Sequence, residues 1–129
     1  MTEPAVLRSL ADRVEREPPS RELQEAIATA LGWECGADGQ SVFWRDPATD
    51  AWQMGLPEWL TSIDAAASMM PEGWRVASLF MWPDPKEWRC TMIRSGESEC
   101  GIAPTEPQAR VAAALRARAA EGGGDADPR

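Results

Sequence analysis

The sequence predicts an α+β protein: an antiparallel β-sheet with helices packed on its faces, α/β/α sandwich-like, entered through an N-terminal helix pair. Three observations predict it. Apolar residues recur at helical spacing in four separate segments, and between the third and fourth they cluster or alternate as in strands. Proline and glycine punctuate the chain at the joints between those segments. Seven tryptophans stand at helix ends and in the apolar stretches, where a side chain that large pegs helices to a sheet.

The first helix is predicted over Pro4 to Arg16, because Leu7, Leu10, Ala11 and Val14 fall on one stripe. Pro18-Pro19 stops it. Ser20 caps a second helix whose apolar row is Leu23, Ile27 and Leu31, with Glu22 near its positive end. Gly32 then occupies the left-handed position that ends helices, with Trp33 as the clasp behind it. Gly36, Asp38 and Gly39 mark a turn before a short strand, Ser41 to Trp44. Asp46-Pro47 and Asp50 mark another, after which Ala51 to Met54 continues the hairpin.

A third helix, Ser62 to Met70, presents the face Ile63, Ala66, Ala67 and Met70. Trp74 to Trp82 is the strongest strand and carries apolar residues on both faces, the pattern of a central strand covered on each side. The Pro83 to Lys86 turn leads to Trp88–Ile93, in which Trp88, Cys90 and Met92 alternate with Arg89 and Thr91. Ser98 to Ile102 is a polar edge strand. Thr105 and Gln108 form a capping box, with Gln108 reaching back to the Thr105 amide. The helix behind it, Ala109 to Ala119, offers alanines that permit close approach to the sheet. One domain is expected over residues 1–120, with the helix at 4–17 peripheral to it. Residues 121–129, rich in glycine and without apolar content, are expected to be a disordered tail. Trp33 and Trp74 are expected to be largely buried between helices and sheet.

Composition narrows function by exclusion. A net charge of −8 argues against direct binding to nucleic acid or an anionic membrane, which need clustered Lys and Arg. Lys86 is the sole lysine and the arginines are scattered. No apolar run reaches the ~20 residues of a membrane span. The acidic start Met1-Thr2-Glu3-Pro4 lacks the order of a signal peptide, so a cytoplasmic location is expected. Without histidine, the Ser-His and Cys-His nucleophile systems and imidazole metal ligands are excluded. No paired CxxC, phosphate-binding loop or dinucleotide motif is present, and the carboxylate pairs Glu97/Glu99 and Asp46/Asp50 lie in turns. The sequence therefore predicts no catalytic residues, no cofactor and no metal. Cys35, Cys90 and Cys100 read as small buried hydrophobes, with Cys90 and Cys100 near one another on adjacent strands. Trp52 and Trp59 lie in loops and are the candidate partner-binding residues, because exposed tryptophan is enriched at interaction centres.

Several segments together resemble a known family. Leu31-Gly32-Trp33, Trp44-Arg45-Asp46, Leu56-Pro57, Thr61-Ser62-Ile63-Asp64-Ala65-Ala66 and Pro71-Glu72-Gly73-Trp74 are followed by Ala103-Pro104 and Ala112 to Ala117. In this order they resemble the phage α/β/α sandwich domain family of phage and prophage genomes, over about Arg21 to Ala120. The resemblance implies a compact α/β/α arrangement and phage origin, and supplies no catalytic residues. The expected function is that of a non-catalytic phage or prophage accessory protein that binds another protein in the bacterial host. The alternative is an acidic inhibitor of a host defence system, anti-CRISPR-like or a DNA mimic.

Overall fold

The computed structural model describes residues 3–37 and 42–126. Its order is α1 (Pro4–Arg16), α2 (Arg21–Ala30), β1 (Glu34–Ala37), β2 (Val42–Arg45), β3 (Trp52–Gln53), α3 (Ile63–Ala67), β4 (Arg75–Pro83), β5 (Lys86–Arg94), β6 (Glu97–Ala103) and α4 (Glu106–Ala126). This is the α+β class that the sequence predicts, with its N-terminal helix pair. The strands divide into two antiparallel three-stranded sheets, β1-β2-β3 and β4-β5-β6.

Local rules set the helix ends. Ser20 Oγ accepts the Leu23 amide at 3.1 Å, and Ser62 Oγ accepts the Ala65 amide at 3.2 Å. At the end of α2, Gly32 takes φ +92° and donates to the Thr29 carbonyl, while the Trp33 amide donates to that of Ala28. That pair of bonds is a Schellman ending, which a left-handed glycine permits at no steric cost.

α4 lies at the centre. Alanines on several of its sides are buried together with Val111 and Leu115, as expected of a helix enclosed by neighbours. α1 packs along it through Leu7, Leu10, Ala11 and Val14, all buried, so α1 belongs to the core and is not peripheral. Against the sheet, α4 sits close enough that a Cβ on Gly101 would come within 2.1 Å of the Ala109 carbonyl oxygen. Glycine on β6 and alanine on α4 together make that approach possible.

The register of the larger sheet separates two faces. Cys90 and Met92 are buried toward α4, and their cross-strand partners Leu79, Val76 and Gly101 share that face. Phe80, Trp82, Arg89, Thr91 and Ile102 point the other way, where no helix packs among the described residues. Helices therefore cover one face of this sheet. β4 is an edge strand with β5 at the centre, which corrects the expectation of a doubly covered central strand. Its apolar residues on both faces reflect an open surface.

Smaller differences have equally local causes. β1 occupies a stretch that reads as turn, because its pairing with β2 is decided across the chain. The turn residues Asp38 and Gly39 and the strand start Ser41 lie outside the described residues. α3 is shorter than expected; it buries Ala66, with Met69 following, while Ile63 is 47% exposed. Gln108 does not reach the Thr105 amide: its Oε1 accepts from the Thr105 hydroxyl and its Nε2 turns to α1. Trp74 is 5% exposed, whereas Trp33 is only partly buried. α4 runs to Ala126, so the segment expected as tail from Glu121 begins as helix; residues 127–129 lie outside the described residues. Extending an established helix costs about 1 kcal/mol per glycine, far less than starting one. No helix among the described residues is long and apolar enough to cross a membrane.

Candidate functional site

The two tryptophans singled out by sequence have different fates. Trp59 is 3% exposed and meets Trp33 edge to face, ring centroids 5.6 Å apart, so it is a core residue and not a binding one. Trp52 is 54% exposed on β3. Its ring lies across β2 above Gly36, where a Cβ would meet it at 3.1 Å. Arg45 borders the same face, bridging Glu34 on β1 and Asp50 in the turn. Hydrogen bonding to those two carboxylates raises the Arg45 pKa above its ordinary value, and the two ion pairs link β1 and the turn to the hairpin that carries Trp52.

Beside this hairpin is a groove of about 690 Å³. Trp44, Leu56 and Leu60 form its floor and Val42 and Met54 its lips, at 43% and 73% exposure. The start of α2 supplies the far wall, with Arg21 and Glu25 3.4 Å apart. Glu58 stands on the near side without an ion pair among the described residues. The groove is an even mix of polar and apolar surface: around its apolar floor stand Ser20, Arg21, Gln24, Glu25, Glu58 and Thr61, with one carboxylate in excess of arginine, a balance that recognition surfaces share. Sequence reasoning missed Val42 and Met54; a signal was present in Met54, an apolar residue beside the glycine-proline stretch Gly55-Leu56-Pro57.

The thiols do not converge. Cys35 is exposed on β1, Cys90 is buried, and Cys100 is half-buried. Cys100 faces Thr91 and Cys90 faces Gly101, so the two sit on adjacent strands but on opposite faces. Burial pushes the Cys90 thiol up to about 11, which holds it protonated and unreactive. The groove is lined by no cysteine, and among the described residues no His, Cys, Asp and Glu group could hold a metal ion.

The remaining ionic cluster is structural. Arg116 on α4 donates to Glu15 at 2.6 and 2.9 Å, to Asp12 at 2.7 Å and to the Cys100 carbonyl at 2.8 Å. Glu15 Oε2 also accepts the Ile102 amide at 2.7 Å. The bonds to Glu15 and Asp12 raise the Arg116 pKa against the opposing effect of burial. One arginine thus ties α1, α4 and the free edge of β6 together.

Fold and surface together define a small α+β protein with a groove of mixed polar and apolar lining and an open sheet face. Compared with protein-family models, curated proteins and solved structures, the chain matches none of them.

Proposed function

We propose that this chain is a non-catalytic accessory protein of a phage or prophage, working in the bacterial host cytoplasm by binding another protein. The observation that carries the reading is the groove with exposed Val42 and Met54 at its lips. Apolar side chains left in water beside a concave surface mark interaction sites. Glu58 and the chain's net charge of −8 favour a partner whose apolar segment is flanked by Lys or Arg. The resemblance of the helix-end and tryptophan motifs to the phage α/β/α sandwich domain family supports the phage setting.

Charge mimicry of DNA is less well supported. Carboxylates at the end of α1 and on β1, β5, β6 and α4 stand beside arginines, as in Glu17 with Arg13, Glu34 with Arg45, Glu87 with Arg89, Glu97 with Arg94 and Glu106 with Arg110. Interleaved signs do not imitate a run of phosphates.

Affinity capture from a phage-carrying host, run in parallel with wild type and with Val42→Glu and Met54→Asp, tests the reading. Both residues are exposed, so the variants keep the wild-type circular dichroism. A protein retained by wild type and lost by both variants is the expected result. Identical captures by all three overturn the groove as the binding surface.

A further inference from the structure

The two edges of the larger sheet are treated differently. On β6 the outward Ile102 amide and Cys100 carbonyl are occupied by Glu15 and Arg116. On β4, among the described residues, no backbone group bonds anything beyond the ladder with β5. The strand is long, and its side chains near that edge include Phe80, Met81 and Trp82 at 40%, 42% and 53% exposure. Such an edge is a template for another strand unless charge, proline or a bulge blunts it. Here Pro83 and the bulge at Ala77 lie toward the ends, and the stretch between them is open.

We propose that the occupant of this edge is β4 of a second copy, joined antiparallel about a two-fold axis at Phe80. This goes beyond the proposed partner binding, which uses the groove beside the other sheet. Charge selects the second copy. Arg75 opens the strand and Asp84 follows its last residue; both are exposed, and neither has an ion pair among the described residues. A strand positive at its start and negative at its end is self-complementary when antiparallel.

The register agrees. With Phe80 on the axis, Leu79 faces Met81 and Ser78 faces Trp82 of the other copy. The extra residue at the bulge then advances the count by one, pairing Val76 with Pro83 and Arg75 with Asp84. Every pair of strand residues so formed joins the same sheet face, as antiparallel pairing demands, and Asp84, the first residue of the turn after β4, comes beside Arg75. Lys86 lies one strand in, on β5, leaving Asp84 as the charge nearest the seam. Phe80 and Trp82 already meet edge to face, centroids 5.8 Å apart, and the axis sets two such pairs in one row. Trp82 opposite Ser78 fills large against small.

The seam is narrow. Half-exposed Phe80 and Trp82 offer roughly 200 Å² per copy at ~150–250 Å² for each whole ring. A standard interface takes about 800 Å² per partner, so the dimer is a dissociable one.

Sedimentation velocity of the full chain at about 0.15 M salt, where the ~8 Å Debye length screens the repulsion of two acidic molecules, tests the proposal. Between micromolar and millimolar concentration the mass should rise from 14.1 kDa toward twice that value. Phe80→Lys, at an exposed site, should hold it at the monomer. Arg75→Asp has negative charge at both ends of the strand and Asp84→Arg has positive charge at both, so each alone should associate less than wild type. Mixing the two should restore the dimer in trans, because the ends then match at both seams. A chain that stays monomeric at millimolar concentration overturns the proposal. So does a dimer indifferent to Phe80→Lys, or a mixture no more associated than its components.

Discussion

Gly101 decides how closely helix and sheet can approach. The atoms that an added Cβ would meet are backbone, the Ala109 carbonyl oxygen at 2.1 Å and the Ala113 nitrogen at 2.6 Å. Backbone in the central helix cannot turn aside as a side-chain tip can. Gly101→Ala should therefore cost about 3 kcal/mol, the upper range for overpacking, read from urea unfolding. Glycine at this position is required by proximity, not by its backbone angle. Cys90, on the same face of the sheet, makes a second residue-scale prediction. At pH 8 a thiol reagent should modify exposed Cys35 quickly and Cys90 only after unfolding. The folded-state value is raised, so the contribution of Cys90 to stability is complete below the ordinary thiol value of 9.0. It fades as pH rises from there through about 11. Rapid labelling of Cys90 in the native protein would contradict its burial.

At the scale of elements, joints between helices matter more than the helices alone. Buried Gln108 donates from Nε2 to the Val14 carbonyl at 3.0 Å and the Glu17 carbonyl at 3.1 Å, closing the C-terminus of α1 from the first turn of α4. Gln108→Leu keeps the volume and strands both carbonyls, so a loss of about 2 kcal/mol is expected in chemical denaturation. Gln108→Glu, which cannot donate when ionised, should be no better. The end of α2 works by packing: the Schellman turn delivers Trp33 to the edge of Trp59. Trp59 is the more buried of the two, so Trp59→Ala should cost ~3–5 kcal/mol and Trp33→Ala distinctly less. A reversed order in thermal melts would mean that Trp33 is the real anchor. Trp74 is held differently, under the Arg94 guanidinium 5.0 Å from its ring centre, while Arg94 also pairs with Glu97 at 2.7 Å.

For the whole molecule, the core is a single cluster running from α1 and α2 through Trp44, Trp59 and Trp74 to α4. Helices from both ends of the chain therefore stand or fall together. Removing residues 1–17 exposes the alanine-rich face of α4 and leaves Arg116 beside a half-buried site without Asp12 and Glu15. The truncated chain should lose its cooperative thermal transition and bind a hydrophobic dye, whereas a peripheral α1 would leave the melting curve in place. Leu115→Asp, which puts a charge at a fully buried site in the middle of α4, should have the same consequence.

The sequence by itself determined the elements whose causes are local. Leu7, Leu10, Ala11 and Val14 mark α1 and its buried stripe, Ser20 and Ser62 mark the caps, and Gly32 marks the end of α2, because helix periodicity and capping act within a few residues. It also showed Trp52 as a candidate contact. Only the tertiary structure decided what depends on residues far apart in the chain. Trp52 and Trp59 read alike as loop tryptophans, yet one is exposed and the other is sealed by Trp33. β4 reads as a covered strand because apolar residues on two faces look the same whether the second face meets a helix or water. The division of the strands into two sheets and the groove between α2 and β2 follow from which surfaces meet. Burial is a property of the assembled neighbours, and local spacing along the chain does not encode it.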